Sequence, residues 1–243
     1  MDLYTLVTGA TSDIGKEICR ILEKSGHNIL LTDVVQEQLL DFVATLERPN
    51  QHLVLALDLS DVTGCKETLS NFIVEKQISV GYAVFAAGIF AVKPLKLIDY
   101  DFLKKSFDIA LFSMFAIMQV LVAKKINAKN LKNVVVISSV NAKLGTKGYA
   151  VYGSVKSAML GFVKSMAVEL SPTVRVNAVL PGAIRTRTTN FLYEAQEGEI
   201  NPRYLLGEGQ CCDVANAIEF LLSDKSRWIT GQEIVVDGGL TIG

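Results

Sequence analysis

Tyr152 and Lys156 lie four residues apart in Tyr149-Ala150-Val151-Tyr152-Gly153-Ser154-Val155-Lys156, and Ser139 precedes the tyrosine by thirteen residues. On a helix, a four-residue spacing puts the phenol and the ammonium on one face, one turn apart. A lysine held there favours tyrosinate and draws the phenol pKa from about 10 toward working pH. A hydroxyl from the end of an adjacent strand would orient a substrate carbonyl beside that phenol. The chemistry is proton transfer to or from a substrate oxygen. Taken alone, a Tyr-x-x-x-Lys spacing is more often plain helix surface. Its weight comes from the rest of the chain.

A second constellation stands at the start. Thr8-Gly9-Ala10-Thr11-Ser12-Asp13-Ile14-Gly15 follows an apolar run and opens a helical pattern. Glycine in such a turn lets backbone approach a pyrophosphate, and the helix N-terminus offers unpaired N–H groups and a positive dipole end. Gly9 and Gly15 suit those roles, with Thr11, Ser12, Asp13 and Ile14 forming the turn between them. Asp33 ends the next strand, where a carboxylate accepts both hydroxyls of an adenosine ribose and repels a 2′-phosphate. No Lys or Arg in the glycine turn or just past Asp33 offsets that charge, which favours NAD over NADP. The plainer role for Asp33 is a helix cap or a surface carboxylate. Asp58, with Leu59 closing the third strand, would touch the adenine edge or cap the following helix.

These residues need a scaffold, and the pattern supplies one. Strands are expected at Leu3–Thr8, Asn28–Thr32, Leu53–Leu57, Tyr82–Ala86, Asn133–Ser138, Val174–Val179 and Glu233–Val236. Helices fall between them, over Ile14–Ser25, Val35–Glu47, Asp61–Lys76, Tyr100–Ile126, Tyr149–Leu170 and Cys212–Ser223. Near-continuous Val/Ile/Leu strands alternating with helices indicate an α/β, doubly wound parallel sheet. No linker or repeat interrupts it, so residues 1–243 read as a single domain. Arg185–Gln210 is more polar and weakly periodic, as in an active-site lid.

Composition narrows the function further. Half of the 243 residues are apolar and the net charge is −1, with no basic block suited to nucleic acid. No secretory leader is visible, and the four cysteines show neither metal spacing nor a disulfide framework. The expectation is a reduced, cytoplasmic protein without a metal site. Ile109–Ala123 is apolar on all sides but shorter than the roughly twenty residues of a membrane span. It is expected to be buried in the core or against a partner subunit.

Six ordered motifs together resemble the short-chain dehydrogenase/reductase family, in the single-domain form of 3-oxoacyl-carrier-protein reductase-like members. The glycine turn is similar to Thr-Gly-x-x-x-Gly-x-Gly, and Phe85-Ala86-Ala87-Gly88 to Asn-Asn-Ala-Gly. Val136-Ile137-Ser138-Ser139-Val140 resembles the strand bearing the catalytic serine, with spacing that selects Ser139. Tyr152-Gly153-Ser154-Val155-Lys156-Ser157-Ala158 resembles the catalytic helix. Pro181-Gly182-Ala183-Ile184-Arg185-Thr186 looks like the family's Pro-Gly-x-x-x-Thr element, and Ile229–Gly239 like its C-terminal signature. The resemblance implies a Rossmann-type NAD(P)-binding domain and hydride transfer between a nicotinamide cofactor and a carbonyl or secondary alcohol. Ser139, Tyr152 and Lys156 would be catalytic, and Lys156 would also hold the nicotinamide ribose beside Tyr152. Ala86, Ala87 and Gly88 would border the cofactor; Pro181, Gly182, Ile184 and Thr186 would hold its carboxamide. A homotetramer, or a homodimer, through the two long helices is implied as well.

Three departures matter. Asp13 replaces the family's middle glycine, as a helix-capping carboxylate that adds negative charge beside a pyrophosphate. Phe85 and Ala86 replace two asparagines that would brace adjacent strands. Ala110 replaces an asparagine that holds a relay water for the lysine. The substrate is expected to be a small or carrier-bound oxo or hydroxy compound. Lys143, Lys147, Arg185, Arg187 and Arg203 suit an anionic one, or else are solvated surface. The alternative class is a cofactor-binding sensor or scaffold with little turnover.

Overall fold

The computed structural model describes residues 3–190 and 203–243. Seven strands, β1 (Leu3–Thr8), β2 (Asn28–Asp33), β3 (Leu53–Ala56), β4 (Ser79–Phe85), β5 (Asn133–Ile137), β6 (Arg175–Pro181) and β7 (Glu233–Val236), form one sheet. Their order is β3-β2-β1-β4-β5-β6-β7, and every neighbouring pair is parallel. The chain therefore winds outward one way from β1 and the other way from β4. A crevice opens at such a switch point, beyond the strand C-termini.

Side-chain alternation along each strand explains the unbroken apolar runs, because both faces are covered. Leu6, Leu30, Val80, Val134 and Val136 face one layer of helices: α3 (Val62–Glu75), α5 (Ser113–Val122) and α7 (Ala150–Glu169). Their neighbours Val7, Ile29, Leu31 and Val135 face the other layer. That layer contains α1 (Asp13–Lys24), α2 (Gln36–Val43) and a late helix over Cys211–Leu222, called α8 below. The expected doubly wound fold is present. The Glu233–Val236 strand has its expected bounds, whereas β4 starts three residues early, at Ser79.

Three helices begin where a short polar side chain accepts a first-turn N–H. Ser12 accepts from Gly15, Asp61 from Gly64, and Asp99 from Phe102 of α4 (Tyr100–Phe107). Asp61 therefore takes the capping role that Asp58 was a candidate for.

The expected helix over Tyr100–Ile126 is continuous to Val122 and stops there. Between α4 and α5 lies one wider π-helical turn, Asp108–Phe112, and α5 stops at an extended Ala123 before the short α6 (Lys124–Asn127). The hydroxyls of Ser106 and Ser113, flanking the wide turn, each donate to the carbonyl four residues back at 2.7 Å. Such bonds compete with the regular ladder. Tyr100–Val122 is long and apolar enough to cross a membrane by length and composition. Yet Met114, Ile117 and Leu121 are fully buried in the core, which makes this a core helix. Phe112, Phe115 and Val122 remain exposed along one strip.

Candidate active site

β5 ends at Ile137, and the two serines that follow part ways. The Ser138 hydroxyl donates to the Lys156 carbonyl at 2.8 Å, turning inward to anchor α7. Ser139 turns to the cleft, where its hydroxyl lies beside the Tyr152 phenol and accepts from the Asn141 backbone N–H at 3.2 Å. One turn along α7, the buried Lys156 ammonium lies 5.8 Å from the centre of the Tyr152 ring and donates to the Ile137 carbonyl at 2.7 Å. The fold thus brings Ser139, Tyr152 and Lys156 to one wall.

The electrostatics differ from the sequence expectation. Burial pushes the Tyr152 phenol up, with the Ser139 hydrogen bond pulling partly the other way. Burial also drives Lys156 down from the ordinary 10.5 to about 8. Desolvation disfavours both charged forms, so burial sets the direction of both shifts here.

That wall faces a cleft of about 470 Å³. Among the residues proposed for the cofactor, Ser12, Asp13, Ile14, Ala86, Gly88, Pro181, Gly182, Ile184 and Thr186 line it together with the three catalytic candidates. Gly9, Thr11, Gly15, Asp33, Asp58, Leu59 and Ala87 do not. Aromatic residues from the segment after Gly88 and the loop before Ala150, both expected to border the pocket, pack beside the phenol. Phe90 meets Tyr149 and Tyr152 edge-on, with centroids 5.5 and 5.2 Å apart. Leu144, Tyr204 and Leu240 add apolar surface. No spacing in the sequence marks these residues, because they come from four separate loops. Beneath Tyr152, a separate cavity of about 10 Å³ is bounded by Ala110, Ser106, Gly88 and Lys156. It is close to the space one water occupies.

The glycine turn is built by close approach. Gly9 has φ +67°, and a Cβ there would lie 3.0 Å from the Ala87 backbone. A Cβ on Gly15 would lie 2.1 Å from the Gly9 carbonyl oxygen, which no side chain tolerates. Thr8 supplies bracing where the two asparagines are missing: its hydroxyl accepts the N–H groups of Ala86 and Ala87 at 3.1 and 3.2 Å.

Four charged residues already have partners. Asp13 does not cap α1, since Ser12 does; its carboxylate instead accepts the backbone N–H and the Nε–H of Arg187, both at 2.7 Å. Asp33 does not cap α2, whose cap is Val35. Its carboxylate accepts the Thr11 N–H at 3.0 Å, the Thr11 hydroxyl at 2.6 Å and the Val34 N–H at 2.8 Å. Asp58 accepts from the backbone and hydroxyl of Ser60 at 2.8 and 2.6 Å, which holds its carboxyl below the usual range. Lys143 pairs with Glu233 at 2.7 Å rather than facing substrate.

Arg185 lies 3.9 Å from Glu208, and Arg203 donates to the Leu240 carbonyl at 3.2 Å on the cleft's edge. Of the lid expected at Arg185–Gln210, residues 191–202 lie outside the described residues; Ile184 and Gly209 bridge its two ends. Among the described residues, no group of His, Cys, Asp or Glu could hold a metal.

A family model described as enoyl-(acyl carrier protein) reductase matches residues 9–241. The 3-oxoacyl-[acyl-carrier-protein] reductase of Rickettsia felis is 33% identical over 239 residues, 97% of this chain and 95% of that protein. The chain belongs to the short-chain dehydrogenase/reductase family. A short-chain dehydrogenase/reductase from Brucella melitensis, described as glucose/ribitol dehydrogenase, superposes with TM-score 0.88 at 28% identity, covering 100% of this chain and 97% of that one. A 4-hydroxyisoleucine dehydrogenase solved with NADH does so with TM-score 0.89 at 29% identity, covering all of both chains. As a short-chain dehydrogenase/reductase, this protein is an oxidoreductase that transfers hydride between a nicotinamide cofactor and a carbonyl or secondary alcohol. The site fits such a cofactor: Ser12, Asp13 and Ile14 at the start of α1 line the cleft together with Pro181, Gly182, Thr186 and the Tyr152 phenol.

Proposed function

We propose that this single-domain enzyme interconverts a compact, neutral ketone and its secondary alcohol, with NAD as the preferred cofactor. The observation that carries the reading is the placement of Ser139, Tyr152 and Lys156 on the wall of the cleft that also reaches Ser12–Ile14. Ser139 orients the substrate oxygen. Tyr152 gives that oxygen a proton during reduction and takes it back during oxidation. Lys156, within one helical turn, replenishes the phenol's proton and holds the nicotinamide ribose. The bound cofactor supplies the hydride chemistry. Ser12 to Ile14 would hold its pyrophosphate, and Pro181 to Thr186 its carboxamide end.

Asp33 supports NAD, because a carboxylate fixed by Thr11 opposes a 2′-phosphate. A neutral substrate is supported by the aromatic wall and by the engagement of Lys143 and Arg185 with carboxylates. Two apolar surfaces support a homotetramer over a dimer. One holds Phe112, Phe115 and Val122; the other holds Trp228, 92% exposed, and Val235 of the edge strand. Four unpaired thiols agree with a cytoplasmic location.

Parallel fluorescence titrations with NADH and NADPH, followed by NADH oxidation against a panel of neutral ketones and acyl-carrier thioesters, test the reading. Tighter NADH binding and turnover of ketones would support it. Preference for NADPH would remove the NAD assignment, and turnover confined to thioesters would remove the substrate class.

A further inference from the structure

Asp13 and Arg187 lie 174 residues apart in sequence, yet they join the two walls of the cleft. Ser12, Asp13 and Ile14 line one side; Thr186, Thr188 and Thr189 line the other. The Asp13 carboxylate accepts the Arg187 backbone N–H and its Nε–H, each at 2.7 Å, while Nη2 donates to the Thr11 carbonyl at 3.3 Å. Arg187 is thus gripped by main chain and side chain at once. The loop behind it is stiffened by Thr189, whose hydroxyl donates to the Ile184 carbonyl at 2.8 Å and accepts the Thr186 N–H at 2.9 Å. Arg187 is held in place, yet 73% of its side chain is exposed and Nη1 has no partner among the described residues.

Asp13 occupies the first turn of α1, where the helix dipole favours an anion. A diphosphate would seek the same turn. With Asp33 close by, a second carboxylate there opposes an anionic ligand unless a cation intervenes. Arg187 is that cation. A guanidinium binds a planar anionic edge through paired N–H groups, and phosphate oxygens suit it as well as a carboxylate does.

We propose that Arg187 is a pyrophosphate-binding residue which Asp13 holds over the glycine turn and yields to the dinucleotide. Asp13 is then an internal competitor for the site, and the pair makes cofactor affinity a balance between two anions for one guanidinium. The inference rests on the dinucleotide reading above. It assigns a role to the residue that replaces a glycine, and to an arginine otherwise grouped with substrate-binding cations.

The test is NADH binding by nicotinamide fluorescence to the wild type, Asp13→Asn, Arg187→Gln and Arg187→Lys, at low and high salt, with melting curves to show that each variant folds. Arg187→Gln should weaken NADH about tenfold and flatten the salt dependence. Arg187→Lys, which keeps the charge but not the fork, should fall between. Asp13→Asn should tighten NADH several-fold, because the competing anion is gone. Changes under twofold, or weakening by both neutralising variants, would make the pair a mere tether and overturn the proposal. Predicted shifts without any carbonyl turnover would leave it standing and remove the proposed function. A wild type that binds no NADH would uphold the proposal if Asp13→Asn gains binding; binding by neither would sink both readings.

Discussion

The two sides of the cleft solve their electrostatic problems in opposite ways. On the catalytic side, the groups that must carry charge are buried with few charged neighbours: among the described residues, the Lys156 ammonium donates to the Ile137 carbonyl and pairs with no carboxylate, and burial is the largest influence on Tyr152. On the nucleotide side, both carboxylates already have partners, Asp13 with Arg187 and Asp33 with Thr11. The first side is strained toward neutrality and gains from an arriving cofactor and substrate. The second is satisfied before anything binds and must exchange partners. A motif therefore tells which groups are present, while burial and pairing tell which state they wait in.

The largest expected effect lies on the catalytic side and concerns pH. The folded pKa of Lys156 is about 8, below its ordinary 10.5. Below pH 8 both folded and unfolded chains carry the proton, so the cost of burying the charge is fully present. Between pH 8 and 10.5 the unfolded chain holds more protons, so this group makes stability rise with pH. The rise is roughly 3 kcal/mol. Urea unfolding across that window should show it in the wild type and not in Lys156→Met; parallel curves for the two would mean the ammonium is not desolvated.

Ser139→Ala should lower turnover by about two decades. It should also move the alkaline limb of the pH–rate profile upward, since the Ser139 bond is what lowers the phenol. An unmoved limb would separate Ser139 from Tyr152. Across the cleft, Asp33→Ala should shift the NADPH-to-NADH affinity ratio by about tenfold toward NADPH. An unchanged ratio would leave Asp33 as a brace for Thr11. The smallest effect is expected at Glu233, paired with Lys143 and Lys164 at 2.7 and 2.8 Å. Both lysines are largely exposed, so Glu233→Gln should cost about 1 kcal/mol or less in thermal unfolding.

Much of this was readable from the chain because local chemistry dictates it. Strand runs buried on both faces must be apolar throughout, and Gly15 tolerates no side chain against the Gly9 carbonyl. The Ser139–Tyr152–Lys156 spacing was readable for the same reason. What was not readable depends on contacts between distant loops. The Asp13–Arg187 pair, the Thr8 bracing of Ala86 and Ala87, and the Phe90–Tyr149 wall each join segments with no local signal. The wide turn at Asp108–Phe112 escaped because serine bonds to backbone carbonyls, rather than proline or glycine, accompany it. Ala110 was visible as a missing amide, but only the fold reveals the water-sized cavity beside it and Lys156.

The central claim is that the Tyr152 phenol performs proton transfer while the cofactor is held by other groups. Measuring NADH affinity and NADH-dependent ketone reduction side by side, in the wild type and in Tyr152→Phe, tests it most directly. The account predicts affinity within about twofold and turnover lower by two to four decades. Turnover retained in Tyr152→Phe, with binding unchanged, would contradict it.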